Sequence, residues 1–266
     1  MPLTPAHAAV APLLRRLTRR FGLTVPMSAL VIGTMTPDFA YLIRLAPGGG
    51  AWHTPLGLLL YCLPAGLITW WIFRAIIGPA LLRLLPPGLG VAAAATVAPG
   101  TTFRLLPAAS VAIMIGAVSH DCWDSFTHES RWGVRQIPEL DTRVPFLPRG
   151  GAHWYLILQY ASSLIGLIIV AAIIWRWVAA RPKSACYVPA GERAWRVREM
   201  GLLMLAAVAG ALLNGSRPHP PGLSWRLGLA AVGGMSALAV ALLVYGMIDL
   251  LRHRAVPGRV ASGAND

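Results

Sequence analysis

The sequence predicts an all-α, polytopic membrane protein with four or five spans preceded by short N-terminal helices. Three observations carry this. Of 266 residues, 56% are hydrophobic and only 12% charged, about half the charge of an ordinary soluble domain. The mean hydropathy is +0.61. Apolar runs of about 20 residues recur with basic or aromatic flanks, and no period-2 alternation suggests a strand.

Thr4-Pro5 reads as the N-cap and first residue of a helix ending near Gly22, with Arg15, Arg16, Arg19 and Arg20 toward its C-terminal end. Its prolines and arginines do not make the pattern of a signal peptide. Thr24-Val25-Pro26 opens a second short helix that stops at Met35-Thr36-Pro37-Asp38, and a Gly-rich turn leads to Trp52-His53-Thr54-Pro55. The first span is Leu56 to Ile77, long enough for a hydrocarbon core of about 30 Å. The segment from Gly78 to Thr102 reads as a Pro/Gly/Ala-rich loop. A second hydrophobic helix begins near Leu105, and a polar loop covers Glu129 to Gly151. The third span is Tyr155 to Trp175, Met200 to Leu213 is a marginal span, and Trp225 to Leu251 is the last. The organisation expected is a membrane-embedded site domain (1–175), a basic loop (176–199), a C-terminal transmembrane hairpin (200–251) and a disordered tail (252–266).

The net charge of +13 comes from 23 basic residues, all Arg except Lys183, against 10 acidic ones. In a chain this apolar, the basic residues flank spans and meet membrane lipids, so no nucleic-acid partner is expected. Cys62, Cys122 and Cys186 are scattered, which gives neither a disulfide framework nor a thiolate knuckle. On a five-span topology Arg15, Arg16, Arg19 and Arg20 fall on the same face as the histidine-bearing segments. The basic residues then divide too evenly to fix an orientation. Oligomeric state has no signature.

The densest chemistry lies in Ser119-His120-Asp121-Cys122-Trp123-Asp124-Ser125-Phe126-Thr127-His128. His120, Asp124 and His128 recur every four residues, about 6 Å apart in rise, and so share one helix face. They end the apolar run Leu105 to Val118, where an ionisable stripe is costly unless it faces a cavity. Two imidazoles and a carboxylate suit a divalent metal such as Zn²⁺. His7, Asp38, His53 and His153 sit at the helix ends that an out-and-back pair of spans brings to the same membrane face. The candidate metal set is therefore His7, Asp38, His53, His120, Asp124 and His128, with His153 as a further member and Asp124 or Asp38 as catalytic carboxylates. Asp121 points about 100° off the stripe. His219 and His253 read as surface residues. No nucleophile elbow, phosphate-binding Gly-rich loop or H-E-x-x-H competes.

Three segments carry a resemblance: Met1 to Ala9, Ser28 to Phe39, and Gly116 to His128. Together they resemble a bacterial family of integral membrane proteins labelled a domain of unknown function, over the chain up to about Trp175. The order His, Gly-x-x-x-Pro-Asp, His, His-x-x-x-Asp is more distantly similar to membrane-bound metal-dependent hydrolases and to the all-helical zinc-dependent phospholipase C group. That resemblance implies ligand roles for His7, Asp38, His53, His120 and Asp124. It also implies hydrolysis of a phosphoester or lipid-like substrate at a bacterial cytoplasmic membrane. Phospholipase C-type sites add a processed N-terminal amine and a ligating Glu. Here the chain starts at Met1, and Glu129 and Glu139 lack the motif, so one or two metals are expected rather than three. The rivals are a non-enzymatic membrane scaffold, in which the cluster is structural, and a metal transporter. The spans themselves hold few ionisable groups, which argues against transport.

Overall fold

A computed structural model describes residues 3–43, 48–85, 89, 103–145, 151–180, 190–218 and 223–254. Among them there is no strand, only an isolated antiparallel bridge between Arg143 and His153. Five helices are long and apolar enough to cross a membrane: Pro55–Leu84, Phe103–Thr127, Trp154–Ala179, Gly191–Gly215 and Arg226–Arg252. The all-α, multi-pass architecture expected from the sequence is therefore the one observed.

The chain forms two compact units, one of residues 1–70 and 101–180, the other of 71–100 and 181–266. The first unit opens with a 3₁₀ helix, Thr4–Val10, continued by α1 (Ala11–Arg20). Leu3, not Thr4, is the capping residue, and the Thr4 side chain is turned inward for another purpose. Phe21 ends α1, and Gly22 takes φ +74°. The N–H of Leu23 donates to Thr18 O at 2.9 Å, a Schellman-type closure that reverses the chain. Helix α2 (Met27–Gly33) runs back alongside α1, followed by a 3₁₀ turn (Thr36–Asp38), α3 (Phe39–Ile43) and α4 (Gly49–Trp52).

Helix α5 (Pro55–Leu84) is longer than the span predicted from Leu56 to Ile77, because Gly78–Leu84 continues it instead of beginning a loop. A π-helical stretch at Phe73–Ile77 precedes Gly78-Pro79. Such widening shifts the carbonyls that a proline ring would otherwise meet. Pro86–Gly88 and Gly90–Thr102, the rest of the predicted loop, lie outside the described residues, as does the tail from Ala255.

Helix α6 (Leu106–Thr127) carries the His/Asp stripe, and α7 (Trp132–Gln136) and a 3₁₀ turn (Pro138–Asp141) lead to α8 (Trp154–Ala179). The crossing of α2 and α6 fixes the site. A Cβ at Gly116 would lie 2.6 Å from Thr34 N and 2.7 Å from Leu30 O, and one at Gly33 would strike the Ile113 backbone. Without side chains at these two points the backbones touch, as small residues allow in membrane helices. Ala11, Val25, Ala29, Leu30, Trp70, Ala109, Ala112 and Ile113 form one buried cluster beneath the crossing. Trp70 Nε1 donates to Ser28 Oγ at 3.1 Å.

In the second unit, α9 (Ala190–Gly215) and α10 (Leu223–Arg254) pack on each other. Residues 190–198, predicted as basic loop, are helical, and the Glu192–Arg196 pair (2.6 Å) has the i, i+4 spacing that supports a helix. Arg83 makes a bidentate pair with the buried Asp249. Leu202, Met204, Leu205, Leu212 and Leu213 face outward, as lipid-exposed side chains do.

Candidate metal centre

Three segments of the first unit deliver four side chains to one buried point. Asp38 comes from the 3₁₀ turn that follows α2, His53 from the end of α4, and His120 and Asp124 from successive turns of α6. All four are buried, and one ligand atom from each lies within 4.8 Å of the others. His53 Nε2 is 3.9 Å from Asp38 Oδ1 and 3.8 Å from Asp124 Oδ2; His120 Nε2 is 3.8 Å from Asp38 Oδ1 and 3.3 Å from Asp124 Oδ2. Ligands about 2.0–2.1 Å from a tetrahedral ion stand about 3.3–3.4 Å apart. The four separations lie at or just above that spacing.

The hydrogen-bond pattern decides what the cluster can hold. His120 Nδ1–H donates to Thr34 O, and His53 Nδ1–H donates to Gly49 O, both at 2.8 Å. A carbonyl only accepts, so both rings carry a proton on Nδ1, and the neutral form of each ring aims its Nε2 lone pair inward. Asp38 Oδ2 accepts from Thr4 Oγ1 at 2.7 Å, leaving Oδ1 toward the histidines. In their neutral forms the two rings thus present lone-pair nitrogens to two carboxylates. His120 Nε2 and Asp124 Oδ1 are buried without hydrogen-bond partners, a costly state that a cation would relieve. A proton shared between imidazole and carboxylate would draw them to about 2.7–2.9 Å, closer than any of the four separations. The donor set therefore fits a divalent ion. It lies at the C-terminal end of α6, where the helix dipole also favours a cation.

His7 and His128 stand beside these four. The His7 ring stacks on His120 at 3.9 Å between centroids, and its Nε2, also without a partner, is 3.5 Å from Asp124 Oδ1. Burial, and then the neighbouring His120, push the His7 pKa down to about 3. His128 Nδ1 is 3.2 Å from Asp124 O and 3.5 Å from Asp124 Oδ2. Its Nε2 is 2.9 Å from Gln159 Nε2, which donates to it. With its lone pair turned to Gln159, His128 holds Asp124 rather than facing the centre. Burial lowers its pKa, and the Asp124 carboxylate opposes that shift. His153 stays apart, bridged to Arg143 and stacked on Tyr155 at 5.4 Å. Asp121, off the stripe, pairs with Arg131 at 3.4 Å. His219 lies outside the described residues, and His253 belongs to the last turn of α10.

Sequence reasoning missed Thr4, Gln159 and the Thr34 and Gly49 carbonyls. Two signals were available. In a 3₁₀ helix residues i and i+3 eclipse, so Thr4 and His7 project together. Gln159 and Ser163 form an i, i+4 polar pair inside an otherwise apolar span, where polar groups need a reason; Ser163 Oγ accepts from Leu3 N, tying the 3₁₀ helix to α8.

A family model described as a domain of unknown function, DUF4184, matches residues 1–247. No curated protein and no solved structure matches the chain.

Proposed function

From the premise that this chain belongs to the DUF4184 family, we propose that it is a membrane-bound, metal-dependent hydrolase acting on a phosphoester in a lipid or amphipathic substrate. One observation carries the reading: four buried, inward-facing, electron-rich atoms whose histidine tautomers are fixed by backbone carbonyls. Asp38, His53, His120 and Asp124 are the ligands of a divalent ion, with zinc first among those suited to imidazole and carboxylate. When bound, such an ion supplies Lewis acidity and lowers the pKa of water toward about 7. The chain's own residues do the rest. Asp124 spans two environments, Oδ2 toward the ligand group and Oδ1 toward His7. The His7 Nε2, without a hydrogen-bond partner, lies 3.5 Å from Asp124 Oδ1 on the far side of that carboxylate. Thr4 orients Asp38, and Gln159, acting through His128, orients Asp124. The motif order His, Gly-x-x-x-Pro-Asp, His, His-x-x-x-Asp supports the same class, being similar to membrane-bound metal-dependent hydrolases and zinc-dependent phospholipase C.

A structural role is the second reading, favoured by the fact that the cluster joins three separate segments of one unit. Metal analysis of purified protein, with hydrolysis of a generic phosphodiester before and after chelation, separates the two. Bound zinc with chelator-sensitive hydrolysis supports the enzyme. Bound metal without hydrolysis of any phosphoester favours the structural role, and folded protein that never holds metal removes the metal centre altogether.

A further inference from the structure

We propose that the α1–α2 hairpin runs through the bilayer beside α6 as far as the first residues of that helix, and that the arginines of its tip reach out to the anionic headgroups of the leaflet opposite the metal centre. The cluster then opens to the non-cytoplasmic side.

The depth follows from packing within the first unit. His7 touches His120, but Ala11, one helical turn later, is buried in the same cluster as Ala109 and Ala112. These lie two to three turns before His120 on α6. Ser28, at the start of α2, bonds to Trp70, fifteen positions into α5. Helix α1 therefore leads away from the centre. From His7 to Arg20 the chain advances about 21 Å, and from His120 back to Leu105 about 22 Å. The two paths run the same distance from the same place, so the hairpin tip reaches the level of the first residues of α6.

The tip has the chemistry of a lipid interface. Arg16, Arg19 and Arg20 are exposed, alongside Leu13, Leu17, Phe21 (81%) and Leu23. Arg15 is partly covered, and its Nε has no hydrogen-bond partner among the described residues. Apolar side chains seated at the acyl boundary with guanidiniums reaching outward are the pattern of an interfacial basic helix, and anionic headgroups complement that charge. Arg104 and the exposed Phe103 stand at the same end of α6, and Arg176 closes the corresponding end of α8.

Counting Arg in the described first unit puts Arg15, Arg16, Arg19, Arg20, Arg104 and Arg176 at this end. Arg131, Arg135 and Arg143 lie at the metal end, among Asp121, Glu129, Glu139 and Asp141. The even division expected from sequence alone rested on placing the α1 arginines with His7, and the packing moves them to the other face. Positive residues accumulate on the cytoplasmic side.

The test uses the full chain with Cys62→Ala, Cys122→Ser and Cys186→Ser, carrying either Glu139→Cys at the metal end or Thr24→Cys at the tip; both positions are exposed. A membrane-impermeant maleimide should label Glu139→Cys in intact cells, and Thr24→Cys only after permeabilisation. The reverse pattern, or labelling of both from one side, overturns the proposal. Combining Thr24→Cys with R16Q, R19Q and R20Q should leave a fraction labelled in intact cells, while R16K, R19K and R20K should keep the parent pattern. An unchanged pattern in the Gln variant, or a Lys variant that departs from the parent, overturns the anchoring role.

Discussion

Thr4→Val tests the metal centre at a residue that never touches the ion. Valine keeps nearly the volume and branching of threonine but cannot donate, so the change removes the 2.7 Å hydrogen bond to Asp38 Oδ2 and little else. Both partners are buried, at 0% and 1% exposure, so water cannot replace the lost donor. A hydrogen bond to a charged group contributes about 1.5–3 kcal/mol. Loss of a partner that orients a metal ligand costs about 10–100-fold in affinity, or about 1.4–2.7 kcal/mol. The two estimates overlap, and a zinc dissociation constant raised about 10–100-fold is the expected result. Competition with a chromophoric chelator on detergent-solubilised protein measures it, with His153→Ala as the control that should change nothing. Unaltered zinc affinity in Thr4→Val, with the fold intact by circular dichroism, would show that Asp38 is not a ligand.

Four further outcomes are expected. His120→Ala should lose at least about 100-fold in zinc affinity, more than an orienting residue costs. Asp121→Asn, whose carboxylate faces Arg131, should retain zinc; equal metal content in both proteins, by elemental analysis, would make the stripe structural. Gly116→Ala forces a methyl group against the α2 backbone and should destabilise by about 1–3 kcal/mol, read as a lower melting temperature in detergent; an unchanged temperature would mean the helices do not cross there. His7 contributes a pH dependence. Its pKa is held near 3 in the fold against an ordinary 6.5, so between those values the unfolded chain binds a proton that the folded chain refuses. Metal-free protein should therefore lose stability as pH falls from 6.5 toward 3, by up to about 1.4 kcal/mol per unit from this group. His7→Phe, which keeps a ring against His120, should flatten that slope, and a slope equal to the parent's would refute the assignment.

Much of the site was legible because helical period and chain position are properties of sequence. Spacing of four placed His120 and Asp124 on one face, and Asp38 and His53 stood at helix ends next to it. The roles of His7 and His128 were not legible. Which ring nitrogen carries the proton depends on Gln159, thirty-one residues later, and on carbonyls that carry no residue identity. The direction of α1 was hidden for a similar reason. Nearness in sequence put Arg15 to Arg20 with His7, but a helix carries its own end some 15 Å away, and only the Gly22 reversal and the Gly33–Gly116 contact show which way. Helix continuation through Gly78-Pro79 was missed because a π turn overrides the usual proline stop.

The histidines of the centre are oriented by main-chain carbonyls at positions 34 and 49, and a carbonyl cannot be mutated away. Saturation of position 34 should therefore reveal a requirement for size and for helix-ending geometry, not for a hydroxyl, since Thr34 Oγ1 bonds back to Val31 O of its own helix. A side chain at position 49 would displace only the end of the partly exposed Tyr41 ring. Tautomer control of this kind is inherited from the path of the backbone. It can be lost only by moving a segment, so a scan of single substitutions would find the ligands sharply and their orienting acceptors hardly at all.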